Sequence, residues 1–573
     1  MFFQAPRLVQ RRSLAGGGTA RSEALYKKHT SSLLFAWLLA PWLAMAEPAV
    51  EPAGPVEGVL ENLPTACGQP MANVDETALA RLSELYRRNH FALLWTSYTQ
   101  IDALLAQLES LADDGLQPAS YHPETIRRVM HTATRDPLHR ECSDVLASHA
   151  YLSALGHLAQ GRLPQDSIEP VWHIPDAPGT LQAEAQLMAI ASEGLEHLEH
   201  AFNKARPSLE QYNNLRKAYA QLRDQPQPER QPIPAGQTLR PGMLDPRVPQ
   251  LRHRLSADGY LPASAVTPGT RSDRYSDQLV EALKAFQRRH ALQDDGIIGA
   301  DTLTELNATP ADRLNQLRVN LERFRWLSAD IEPRSLLVDI AGGRVIYFRD
   351  SSPQWEARIQ VGRDTRQTPS IKSTVTRFTL NPTWTVPPTI LREDKLPQIR
   401  DNLDYLAQHN MQVLDYQGQV LDPATVDWSN PGRILLRQAA GPDNPLGRVV
   451  IRFANPYSIY LHDTPSQGLF ARSQRAFSSG CVRVESVMQL VDLLLNEDEH
   501  ERVSQLLETG LTYEYRPEET TPILLAYWTA EADRTGLPRY RPDVYHRDPK
   551  LLAALQAADR NAMLRAMPAI DEH

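Results

Sequence analysis

Near Ser335 the spacing of apolar residues changes from helical to alternating, so this chain cannot fold as a single layer type. Upstream, Leu79, Leu82, Leu85 and Tyr86 recur at the spacing of one helix face, as do Leu104, Leu105, Leu108 and Leu111. A further helix is expected near Asp144–Gly161, ending at Gly161 with Pro164 beyond. Downstream, Ser335–Ile340 and Arg344–Phe348 flank Gly342-Gly343, the signature of a hairpin. Trp355, Ala357, Ile359 and Val361 then alternate with polar residues, as a half-buried strand requires. With 573 residues there is room for about three domains.

The first 46 residues predict an export signal. Arg7, Arg11, Arg12, Arg21, Lys27 and Lys28 precede the apolar run Leu33–Leu43, and Ala44-Met45-Ala46 offers a cleavage site. The run is shorter than the roughly 20 residues that span a bilayer, which favours cleavage over anchoring. The net charge is −9 and no Lys/Arg block forms a nucleic-acid footprint, so nucleic acid is excluded as a partner. Membrane contact is expected only through the signal segment, if it stays uncleaved. Localisation is therefore expected to be periplasmic.

Of three cysteines, Cys67 and Cys142 fall in one helical, exported region, and a disulfide between them is expected. Cys481 stands alone, far downstream, in a Ser-Ser-Gly-Cys loop. No His or Cys lies at metal-binding spacing around it. His149 and His157 are eight apart on a helix and read as packing or surface residues, since a metal pair wants i, i+4. No metal or organic cofactor is expected.

Residues 47–75 are Pro/Glu-rich and read as a linker, as do the proline-punctuated residues 225–246. Between Pro246 and Ala308, Val248, Leu251 and Leu255 form one helical face, and Leu279, Leu283 and Phe286 another after Ser276. Ala285-Phe286-Gln287-Arg288-Arg289-His290 followed by Asp295-Gly296-Ile297-Ile298-Gly299 resembles the small three-helix peptidoglycan-binding domain. Leu261–Arg274 departs from its shortest versions as an insertion. Between Leu391 and Gly447 a polar, partly helical stretch interrupts the strands. Long insertions of this kind are often lids or binding loops.

A thiol is a weak nucleophile until it becomes thiolate, which takes a base, a positive field, or both. Cys481 precedes a helix expected to begin near Val484, whose N-terminus would favour an anion. His462 lies nineteen positions upstream at a strand end, placed to act as base. Gly480 lets backbone approach a substrate carbonyl, and N–H groups near Gly480–Cys481 are candidates for an oxyanion hole.

Tyr460-Leu461-His462-Asp463-Thr464-Pro465 and Phe477-Ser478-Ser479-Gly480-Cys481-Val482-Arg483 resemble the signature of L,D-transpeptidases with a YkuD-type catalytic domain. Many members carry His before the Gly; Ser479 stands there instead, as in the large Gram-negative periplasmic subgroup, leaving His462 as the base. Arg483 replaces Asn at the last position, and either binds a substrate carboxylate or braces the loop. Asn320–Leu327, Val361-Gly362-Arg363, Gln367-Thr368-Pro369, Asn381–Pro388 and Tyr527–Ala530 resemble the same subgroup.

The resemblance implies a multidomain protein. Residues 76–240 would be a helical scaffold domain, 247–308 the peptidoglycan-binding domain, and 313–515 a β-rich catalytic domain with lid insertion 391–447. Residues 516–573 would be a C-terminal extension packing on scaffold or catalytic domain. It implies a Cys481 nucleophile and His462 general base/acid acting on the third residue of a tetrapeptide stem. D-Ala would leave, and the amine of a second stem would complete a 3→3 cross-link. Tyr460, Ser479, Arg483 and Trp384 are the candidate substrate-binding residues, with Arg363 a further one. Asp463 neighbours His462 but should point to the opposite face, so a backbone carbonyl is the expected orienting group. Partners would be donor and acceptor stem peptides, with cell-wall synthesis proteins as further candidates. Three alternatives stay open: an L,D-carboxypeptidase, an acyltransferase attaching protein amines, and a non-catalytic wall-binding scaffold.

Overall fold

The computed structural model describes residues 54–68, 71, 74–132, 135–173, 180–226, 230–265 and 272–566. The expected signal at 1–46 lies outside these residues, as does part of the insertion Leu261–Arg274.

Among the described residues the scaffold is helical apart from the two-residue strand Trp172–His173. Its longest helix, Pro137–Gln160, starts with Pro137, whose missing N–H costs nothing in a first turn. The carboxylate of Asp136 accepts the Leu138 N–H ahead of it. Leu146, Ala150 and Leu158 of this helix pack with Leu82, Leu85, Leu104 and Leu108 in one core. The expected linker at 47–75 is corrected in its second half. Glu57–Glu61 and Leu63–Cys67 are helices whose Val59, Leu60 and Leu63 are buried in that same core. Apolar residues at helical spacing override the local proline content there. Cys67 is disulfide-bonded to Cys142, with Cα atoms 5.4 Å apart.

Helices Val248–Ala257, Asp277–Arg289 and Ala300–Asn307 form the small domain, around Leu251, Leu255, Leu279, Leu283 and Phe286. The proline-rich segment before it is only partly linker. Ile233 and Leu239 are buried in this core, and the Leu239 backbone pairs with Ile298.

The catalytic region is a large sheet. In chain order the strands used here are β1 (Trp172–His173), β2 (Ser335–Asp339), β3 (Arg344–Arg349), β4 (Ser352–Gly362) and β5 (Ile371–Leu380). Then come β6 (Trp384–Thr385), β7 (Met411–Leu414), β8 (Val420–Leu421), β9 (Leu435–Gln438), β10 (Val449–Phe453) and β11 (Leu461–His462). The last are β12 (Ala476–Ser478), β13 (Val482–Val484), β14 (Tyr513–Tyr515) and β15 (Thr521–Ala526). The order is β1-β5-β10-β11-β13-β4-β3-β2-β15, and β15 pairs again with β5, closing the sheet on itself. The expected C-terminal extension is corrected by this: β15 lies parallel to β2 inside the sheet. Only the tail behaves as an added piece. Its helix, Asp548–Ala566, is tied to the helix Pro310–Leu327 through Arg318–Asp559 and Arg323–Asp548.

The insertion begins earlier than expected, because Trp384 and Thr385 pair with Gln438 and Arg437. It is a small sheet of order β6-β9-β7-β8 with its own core of Val386, Ile399, Leu406, Val413 and Leu436.

Helix Pro310–Leu327 joins these parts. Thr309 and Asp312 cap its start reciprocally, and every residue from Leu317 to Leu327 is buried. Buried charge is tolerated only where it is paired. Arg323 meets Glu169 at 2.7 Å and Asp548 at 2.6 Å, and Arg325 meets Glu322 at 2.6 Å. Arg323→Ala leaves two carboxylates without their cation, and is expected to destabilise the chain by about 3–5 kcal/mol. Urea melts of the two proteins measure this, and a loss under about 1 kcal/mol would show that the pairing is dispensable.

Candidate active site

Strands β11 and β13 run parallel with Leu461 opposite Val482 and His462 opposite Arg483. Leu461 and Val482 point into the core of the sheet. Side chains alternate along strands, so His462 and Arg483 project from the other face. Tyr460 stands between the two candidate groups: its ring is 5.7 Å from that of His462, and it hydrogen-bonds the Cys481 thiol.

The His462 ring is held by its own turn. Nδ1 donates to the Asp463 carbonyl at 2.5 Å, which leaves Nε2 as the nitrogen with a free lone pair. The Asp463 carboxylate is occupied elsewhere, accepting the Arg448 N–H at 2.9 Å. Burial, reinforced by the charge of Arg483, pushes the His462 pKa down to about 3. The imidazole is therefore neutral at ordinary pH.

Cys481 corrects two expectations. No helix begins at Val484; Val482–Val484 is strand β13, and the helix is Val487–Leu494. Ser486, with φ of 52°, breaks the backbone between them. The thiol thus lacks the field of a helix N-terminus. Nor is it held as thiolate. Burial pushes its pKa up, only partly offset by hydrogen bonding to Tyr460 and by the charges of Arg483 and Arg452. Its Sγ donates to the Ser458 carbonyl at 3.7 Å, a contact that suits S–H. The resting pair is neutral thiol beside neutral imidazole.

Gly480 sits at φ +116°, where an L side chain is strained, and a Cβ there would meet Ile459 at 3.1 Å. Its N–H is not free for an oxyanion, because it donates to Ser478 Oγ at 3.1 Å. The Ser478 hydroxyl in turn donates to the Cys481 carbonyl at 2.5 Å. The Gly480 carbonyl accepts from Thr368 Oγ1 at 2.7 Å, and the Thr368 N–H donates to Tyr545 Oη at 3.1 Å. Thr368 and Tyr545 are thus supports of the Cys481 loop that the sequence analysis did not single out. Thr368 lay in a matching tripeptide, but Tyr545 carried no local signal.

The remaining candidates separate. Tyr460 stands edge-on to His462 with ring centroids 5.7 Å apart, and Arg452 covers it at 5.2 Å. Arg483 braces Gln360 at 3.0 Å, while its buried Nε has no partner among the described residues. Ser479 is exposed, and its Oγ accepts from Arg366 Nη1 at 2.9 Å. Arg366 also binds Asp394 at 2.8 Å and Glu393 at 2.5 Å, and Arg363 lies 3.6 Å from Asp394. The insertion is therefore latched to the residue two before the thiol. Trp384 is buried in the core of the insertion under the Lys395 ammonium, which makes it a packing residue there.

Three family models match the chain. Residues 333–504 match the L,D-transpeptidase catalytic domain, 80–218 the Scaffold domain, and 245–306 the "Putative peptidoglycan binding domain". A curated relative from Haemophilus influenzae, described as "Putative L,D-transpeptidase", is 36% identical over 240 residues, 41% of this chain. The match spans 48% of that relative, about half its length. A solved structure, the Ldtfm-avibactam carbamoyl enzyme, aligns with 34% of this chain and 49% of its own at 14% identity, with a TM-score of 0.18. That likeness carries no argument. The chain carries an L,D-transpeptidase catalytic domain joined to a scaffold domain and a peptidoglycan-binding domain.

Two outcomes are expected of the site. The rate of Cys481 alkylation by iodoacetamide should rise with pH through a pKa above the roughly 8.5 of free cysteine, since burial disfavours the thiolate. A midpoint below 7 would contradict the neutral resting pair. Arg366→Ala cuts the latch, so that labelling should become about two- to tenfold faster. Unchanged labelling would mean that the lid does not shield the thiol.

Proposed function

We propose that this chain is a cysteine-dependent L,D-transpeptidase that joins peptidoglycan stems by 3→3 cross-links outside the cytoplasmic membrane. The observation that carries this is the grouping of His462 and Cys481 around Tyr460, with His462 Nδ1 held by a carbonyl so that Nε2 is the basic nitrogen. As the Cys481 sulfur attacks the carbonyl of the third stem residue, His462 Nε2 takes the thiol proton. The C–N bond to D-Ala breaks, and the same proton goes to the leaving amine. A thioester remains. The side-chain amine of a second stem then attacks it, gives up a proton to His462, and sulfur leaves with the cross-link made.

Both groups are neutral at rest, so the thiolate forms only as the thiol gives up its proton to His462. Thiolate and imidazolium arise together and stabilise each other where the dielectric is low. The Gly480 N–H being engaged, the Cys481 N–H is the candidate donor to the developing oxyanion. The unpartnered Arg483 Nε offers a donor to a substrate carboxylate. The same thiol would open a carbapenem ring and hold it as a one-to-one adduct. The leader expected at 1–46 would bring the chain to the periplasm.

Intact mass after incubation with a disaccharide tetrapeptide tests the proposal. Expected is an acyl adduct on the chain, absent from Cys481→Ala, that acceptor stems convert to cross-linked dimer. Cross-linking retained by Cys481→Ala would remove the nucleophile assignment. Release of D-Ala with tripeptide as sole product, at saturating acceptor, would make the enzyme a carboxypeptidase.

A further inference from the structure

A cavity of about 310 Å³ opens where the peptidoglycan-binding domain meets the catalytic sheet. One wall is the turn Ala291–Asp294 that follows helix Asp277–Arg289; the other includes Phe470–Ala476, the segment that connects His462 to the Cys481 loop. The walls are tied together where the Ser473 N–H donates to Gln293 Oε1 at 3.3 Å and Gln474 Nε2 donates to Asp301 at 2.7 Å. The volume falls at the lower end of ligand sites, about 300–1,000 Å³.

The lining is rich in arginine. Arg288, Arg358, Arg472, Arg475 and Arg541 face it, against the single carboxylate of Asp294. Asp294 lies 3.4 Å from Arg288, and Arg358 and Arg541 are paired with Glu485 and Glu531 behind the wall. Arg472 and Arg475 have no carboxylate partner among the described residues. Arg475 spends its donors on the carbonyls of Gly343, Ile359, Arg472 and Ser473. Burial and the neighbouring charges of Arg358 and Arg541 disfavour its charged form. Arg472 is thus the exposed guanidinium of the lining whose charge no carboxylate among the described residues balances, and a carboxylate suits its charge and geometry.

We infer that this cavity binds a free carboxylate of a peptidoglycan stem peptide, so that wall held by the small domain is anchored on the segment leading to Cys481. The inference rests on the proposed substrate class, and it adds a second contact with the stem, away from the thiol. Val361 N–H donates to the Arg475 carbonyl at 2.9 Å, so this wall is bonded to β4, the strand that also pairs with β12 and β13 on either side of Cys481.

The test uses the full chain with Arg288→Glu and Arg472→Glu together, both exposed positions outside the catalytic groups. In the Cys481→Ala background, affinity for a disaccharide tetrapeptide should fall about tenfold, as it should for the native cavity offered the same peptide with amidated carboxyls; a factor of ten is about 1.4 kcal/mol. With Cys481 present, KM should rise about tenfold while kcat and iodoacetamide labelling stay within about twofold. Equal affinity for the amidated peptide, or unchanged KM in the variant, would overturn the inference and leave the enzyme's activity standing. Displacement of the peptide by inorganic phosphate at equal concentration would overturn the stem assignment in favour of a general anion site. Failure of the stem to acylate Cys481 would count against the proposed function, while the binding measurement would still decide the cavity.

Discussion

Arg318, Glu322, Arg323 and Arg325 lie within about two turns of one helix, and all four are buried. Burying an unpaired charge costs several kcal/mol, so this helix can form in place only when its partners are present. Those partners come from separate parts of the chain. Glu169 and the carbonyls of Asp114 and Gly115 belong to the scaffold, and Asp548 and Asp559 to the tail helix. Thr529, just past the last strand of the main sheet, bonds both Asn320 and Asp548. Scaffold, sheet and tail are therefore locked by one set of ion pairs, which gives the catalytic face a rigid back.

Against that rigid back the front is built from short pieces. Strand β11 has two residues and β13 has three, yet they fix the imidazole and the thiol because each is paired on both sides. The loop between them is secured by local hydrogen bonds, with Thr368 and Tyr545 clamping Gly480 from outside. The insertion contributes charge over an apolar base: Glu393 and Asp394 reach Arg366, while Tyr460 packs beneath against the lid core.

Much of this was legible in the sequence. Alternation marked β2, β3 and β4, because side chains repeat every second residue along a strand; His462 and Cys481 were marked by the resemblance of Tyr460–Pro465 and Phe477–Arg483 to a family signature, which no local period supplies. The errors share a cause. Val484, Val487, Leu490, Val491 and Leu494 have helical spacing, so the strand Val482–Val484 was absorbed into the helix after it; only the left-handed Ser486 separates them. Glu57–Cys67 reads as linker because Pro64 and the surrounding prolines mask Val59, Leu60 and Leu63, which tertiary packing uses. The place of β15 depends on a pairing with residues more than 140 positions away, which no local pattern encodes. The engagement of the Gly480 N–H by Ser478 is a matter of loop geometry, equally invisible before the fold.

The protonated state of Cys481 has a consequence for survival under oxidising conditions. Oxidants and disulfides react with thiolate far faster than with thiol, so a group kept as S–H and half-buried is a slow target for sulfenic acid formation and mixed-disulfide exchange. The other two cysteines are already consumed in their own bond. A sulfur that becomes an anion only while His462 is accepting its proton would spend most of its lifetime chemically quiet, and would become vulnerable only in the interval when a substrate occupies the space an oxidant would need.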